Sequence, residues 1–158
     1  MALSDFIVLA AILLMASFTM VIAFTIWTAF STQFNATIGT GGPHSDIIVG
    51  VNSVFNLFDS MFVYLTIGLM IALVISLYFI DTNPIFFFVT FFILIISLVL
   101  SGQFSNIWEA VVNSPQFNAT AASFVQTNWI MSNMPLVSLA AIVIASIILY
   151  AKLGGGGT

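Results

Sequence analysis

Residues 6–30 pass without one charged side chain, and three more apolar runs follow at residues 61–80, 85–101 and 135–151. A helix needs about 20 largely apolar residues to cross a hydrocarbon core of about 30 Å. Four such runs in a short chain predict an all-α integral membrane protein with four spans. The first run lacks the basic leader of a secretory signal and exceeds the usual length of its apolar region, so it is read as a retained helix. The composition agrees. Of 158 residues, 61% are hydrophobic and 4% charged, and the mean hydropathy is +1.24. A soluble domain of this size carries roughly a quarter charged residues. Five acids, one lysine and one histidine cannot coat a water-facing surface. A soluble enzyme, a disordered chain and a nucleic-acid binder built on a basic patch are thereby excluded. With no cysteine there is neither a disulfide framework nor a thiolate metal site.

The scarce charges predict where the spans end. Asp59 and Asp81 bracket the second run, 22 positions apart, which is about 33 Å of helix. Two interfacial carboxylates on one spanning helix would stand at that separation. The sequence Asp81-Thr82-Asn83-Pro84 reads as a tight turn with proline at the first position of the third helix. The fourth span is closed by Lys152 and a glycine tail, Gly154 to Gly157. A long loop over 31–46 and a long connection over 102–130 are expected on the side opposite the termini. Lys152 places the termini on the cytoplasmic or interior side. Trp27, Trp108 and Trp129 fall near the other interface and read as an aromatic belt.

The helices are expected to continue past the bilayer. Asn52, Asn56 and Asp59 share one helical face in a segment leading into the second span, and the segment 119–133 has a similar mixed character. The plain reading of both is an interfacial amphipathic segment. Small residues recur every four positions, Gly68-Ala72-Ser76 on span two, Ser97-Ser101 on span three and Ala141-Ala145 on span four. Such positions let helices approach closely in lipid, within a bundle or between copies.

An internal echo suggests two hairpin halves, 1–80 and 81–158. Gln33-Phe34-Asn35-Ala36-Thr37 recurs as Gln116-Phe117-Asn118-Ala119-Thr120, and Ile26-Trp27-Thr28-Ala29 is echoed by Ile107-Trp108-Glu109-Ala110. Asn56, Ser60, Ile75, Leu77 and Tyr78 match Asn128, Ser132, Ile147, Leu149 and Tyr150 at a constant offset of 72. The shift in offset places a deletion in the second half where the first has residues 38–48. Duplication and chance similarity between apolar stretches both account for matches this short.

Little catalytic chemistry is visible. His44 stands alone in a Gly-Gly-Pro-His-Ser loop with no second ligand of metal type nearby. Asp59 and Glu109 read as interfacial anchors, with a proton or cation site formed together with His44 at a pore mouth as the alternative. No nucleophile–base pair or phosphate loop occurs. A non-enzyme without cofactor or metal is predicted. Asn35-Ala36-Thr37 and Asn118-Ala119-Thr120 are both glycosylation sequons.

The run from Asp81-Thr82-Asn83-Pro84 through the Phe-rich span to Ser105-Asn106-Ile107-Trp108-Glu109 resembles small multi-spanning proteins of lipid-containing tailless icosahedral viruses. So does Asn128-Trp129-Ile130-Met131-Ser132-Asn133-Met134-Pro135 with its closing Tyr150-Ala151-Lys152. The resemblance covers about the second half and implies a virion membrane component under the capsid, with no catalytic residues to carry over. Three functions compete. The first is a structural or assembly protein contacting the bilayer, itself, and other membrane or capsid proteins. The second is an oligomeric pore or holin-like protein with Asp59 and Glu109 at its mouth. The third is an accessory subunit of a larger membrane complex.

Overall fold

The computed structural model describes residues 2–39, 42–79 and 84–155. Every regular element among them is helical: α1 (Ala2–Ile38), α2 (Pro43–Tyr78), α3 (Pro84–Val112), α4 (Asn118–Ser123), α5 (Val125–Ser132) and α6 (Met134–Gly155). Four of these, α1, α2, α3 and α6, are long and apolar enough to cross a membrane, so the chain is an all-α multi-span membrane protein. Pro84 opens α3 and Pro43 opens α2, positions where a missing N–H costs nothing.

The connections are shorter than the sequence suggests. Residues 31–38 and 43–46 are helical rather than looped. The α1–α2 return is confined to residues 39–42, where Gly39 and Gly42 take φ of +94° and +129°, values that only glycine adopts without strain. The His44 ring nitrogen Nε2 lies 3.0 Å from the Gly39 carbonyl oxygen and its ring meets Phe34 edge-on, which closes the return. The hydroxyl of Thr37 donates to the Gln33 carbonyl and that of Ser31 to the Thr28 carbonyl. Polar side chains near the end of α1 are thus absorbed by its own backbone instead of ending it. The second connection is likewise mostly helix. α3 runs to Val112, and only residues 113–117 separate it from α4.

α1 and α6 each pack against both α2 and α3, so the four long helices form a ring in the order α1, α2, α6, α3. Lys152 donates from α6 to the carbonyl of Tyr78 at the end of α2 and sits 5.5 Å from the Tyr78 ring centroid. That contact sets the lower ends of α2 and α6 level. Counting back along both helices brings Met134 beside Ser60. α2 then continues for about 25 Å beyond the upper end of α6, at 1.5 Å per residue. α1 accompanies it, and together they make an arm that rises from the bundle, with α4 and α5 folded against its base.

A lysine at a helix C-terminus stabilises by about 0.3–1 kcal/mol. Lys152→Met is therefore expected to loosen the last turn of α2 while leaving the upper bundle intact. Faster amide exchange confined to residues 73–78 would show it, and unchanged exchange would deny Lys152 the capping role.

The lower core consists of Leu73, Leu77, Leu94, Ala145 and Leu149. The upper core gathers residues including Leu13, Val21, Phe62, Trp108, Phe124 and Met131. Small hydroxyls fill the tight crossings. Ser17, Thr66 and Ser101 are buried and donate to carbonyls of their own helices, Leu13, Phe62 and Leu98. Ala141, Ala145, Ser97 and Ser101 are buried as expected for packing positions. The Gly68-Ala72-Ser76 stripe behaves differently. Gly68 and Ala72 are exposed and Ser76 half-buried, because α2 turns Phe62, Thr66, Leu73 and Leu77 inward instead. On this helix the bulky side chains, which lose the most contacts when left unpacked, decide the inward face.

Candidate functional site

The polar chemistry of the chain converges where the arm meets the bundle, around α5. An eight-residue helix is far too short to hold itself, and the first N–H groups of α5 have no partners within it. Its N-cap residue is Phe124, at φ −101° and ψ 68°, whose side chain offers no acceptor. The missing acceptor comes from another helix. Asp59 of α2 accepts hydrogen bonds from the backbone N–H of Thr127 at Oδ1 (2.7 Å) and of Gln126 at Oδ2 (3.1 Å). One carboxylate therefore satisfies two orphan donors, and its negative charge lies at the positive end of the α5 dipole.

α5 is held at two further points. Ser105 of α3 donates to the carbonyl of Ser132 at its C-terminal end, 2.7 Å away. The indole N–H of Trp108 donates to the side-chain oxygen of Asn128 at 2.9 Å. Trp108 is fully buried and stacks on Phe18 with ring centroids 5.6 Å apart. Beside the carboxylate, Phe24, Phe55 and Phe124 form a three-ring cluster in edge contact, the closest pair 4.8 Å apart. The hydroxyls of Thr25 and Thr120 meet at 3.0 Å and tie α1 to α4. α2, α3 and α1 thus each supply side chains that hold the α4–α5 head in place.

Higher on the arm, the indole N–H of Trp27 donates to the side-chain oxygen of Asn52, also at 2.9 Å. The same Trp-to-Asn bond therefore occurs in each half of the chain. The sequence echo aligns the two tryptophans but pairs Asn128 with Asn56. The structure gives the bonding role to Asn52, one helical turn earlier.

The predicted site residues separate accordingly. Asp59 is buried, 7% exposed, and engaged with α5, so it does not serve as a water-facing anchor. Trp108 is buried and not part of an interfacial belt, while Trp27 is half-buried on Asn52 and Trp129 is exposed on α5. Glu109 is exposed. Asp81 lies outside the described residues. Lys152 holds the opposite end of the bundle, as described above. The pore-mouth grouping of His44, Asp59 and Glu109 is not assembled. His44 sits at the tip of the arm, 15 residues from Asp59 along α2, about 22 Å at helical rise. Among the described residues there is no cluster of three metal-ligating side chains. Sequence reasoning missed the role of Ser105 and Asn128. The signal for the latter was present in the repeated tryptophan, but nothing local marked its partner.

At this site, hydrogen bonds join helices. The chain matches no family model, no curated protein and no solved structure.

Proposed function

We propose that the protein is a structural or assembly component of a membrane, with its arm and head contacting partner subunits. The observation that carries this reading is the arm. It rises about 25 Å past the upper end of α6 and carries exposed Ile26, Phe30, Val49, Val54 and Leu57. A run of large apolar side chains above the end of α6, where that helix no longer covers them, calls for cover by protein or by lipid. The clamped head fits the same role, because a contact surface held rigid before binding costs less to order. The resemblance to membrane proteins of tailless icosahedral viruses supports a narrower form, a virion membrane component facing the capsid, with the termini on the interior side by the single vote of Lys152.

The absence of cysteine from the chain makes the test clean, since any introduced thiol is unique. With Val49→Cys on the arm, thiol-directed crosslinking in the intact native membrane or particle is expected to capture one partner protein in stoichiometric yield. Adducts to lipid alone would sink the assembly reading. A steady conductance from the purified protein in planar bilayers would favour the pore reading over it.

A further inference from the structure

We propose that the outer face between α1 and α2 is a lipid-binding groove that takes one acyl chain from the leaflet nearest the head. The groove encloses about 830 Å³, within the ~300–1,000 Å³ typical of small-molecule sites. Its floor is Met20, Phe62 and Leu69, which are buried or half-buried. Its two walls are unequal. α1 contributes the short side chains Ala16, Thr19 and Ala23, whereas α2 raises Phe58, Met61, Tyr64 and Leu65. All seven wall residues are exposed to the surroundings of the bundle. Thr19 donates its hydroxyl to the Met15 carbonyl, so it presents no unmet polarity to the groove. Gly68 completes the α2 side, and a Cβ built there meets nothing within 4 Å.

Depth identifies the occupant. The contact between Lys152 and Tyr78 and the length of α6 place Met134, where the fourth span begins, level with Ser60. Met61, Tyr64, Leu65 and Gly68 therefore lie below that level, in the half of the span adjoining the head. From Phe55 to Leu69 the groove runs about 21 Å, somewhat longer than the ~15 Å hydrocarbon depth of one leaflet. The medium against this face is hydrocarbon chain at the concentration of a solvent. A neighbouring helix approaches closely where both surfaces are small, and the tall α2 wall keeps a second backbone away from the short α1 wall. A single flexible chain laid lengthwise fits between the two and regains dispersion contacts that the unfilled groove lacks.

The test uses the full chain in phosphatidylcholine vesicles doped with a phosphatidylcholine that carries a photoactivatable diazirine on its acyl chain. Adducts are expected to concentrate on residues 16–23 and 58–69, in excess over the exposed α3 face around Val99. Gly68→Leu should remove that excess and leave labelling around Val99 unchanged. The smaller Gly68→Ala should reduce it without disturbing the helix. Uniform labelling of all outer faces, or an excess that survives Gly68→Leu, would overturn the proposal. So would a second copy in the groove, read as disulfide-linked dimer from Leu65→Cys under mild oxidation, where a monomer is expected.

Discussion

Asp59→Ala is expected to lower stability by about 2–4 kcal/mol. The substitution orphans the buried N–H of Thr127 and the part-buried N–H of Gln126 at the start of α5. A buried donor costs ~1–3 kcal/mol when left unpaired, and the exposed Gln126 regains part of its bond from water. It also removes a carboxylate from a helix N-terminus, where a cap is worth ~0.5–2 kcal/mol. Asp59→Asn keeps one acceptor oxygen in place and should cost about 1 kcal/mol by the same cap scale. The order wild type, Asn, Ala in thermal midpoints measured in mild detergent checks this. An Ala midpoint equal to that of the wild type would show that neither N–H bond matters.

Trp108→Ala carries the second large effect. A fully buried tryptophan truncated to alanine costs about 3–5 kcal/mol through the cavity it leaves, and here the stack on Phe18 and the bond to Asn128 go with it. Trp108→Phe retains a ring against Phe18 and loses the hydrogen bond, worth ~0.6–1.7 kcal/mol by interhelical measurements in membranes. Trp27→Phe provides the matched comparison, since Trp27 makes the same bond from a half-buried position on the arm. Its cost should fall at the lower end of that range. If Trp27→Phe proves as damaging as Trp108→Ala, burial is not what separates the two tryptophans.

How far the sequence could be read depended on whether the signal was local. Four spans follow from hydropathy alone, and Pro84 and Lys152 mark their helix ends through rules that act within one turn. That α2 starts well before the apolar run at residues 61–80 was visible in Asn52, Asn56 and Asp59 on one helical face. The direction of Asp59 was not visible. A carboxylate at the end of an apolar run reads as an anchor, and its commitment to amides 67 and 68 residues away leaves no trace in its neighbours. Trp108 was misplaced for a related reason. Position along a span places a tryptophan near an interface, but only tertiary packing decides whether it faces lipid or Phe18. Gly68-Ala72-Ser76 shows the converse, a regular small-residue pattern on a face that the bundle does not use. Much of the polar inventory serves to join helices, and that use depends on partners distant in sequence.

That Asp59 holds the head to the bundle is tested most directly by hydrogen exchange of the full chain in lipid nanodiscs, comparing wild type with Asp59→Ala. The expected result is slow exchange at Gln126 and Thr127 in the wild type and rapid exchange across residues 118–132 in the variant. The spanning parts of α1, α2, α3 and α6 should stay protected in both. A head equally protected without the carboxylate, or one already exchanging freely in the wild type, would contradict it.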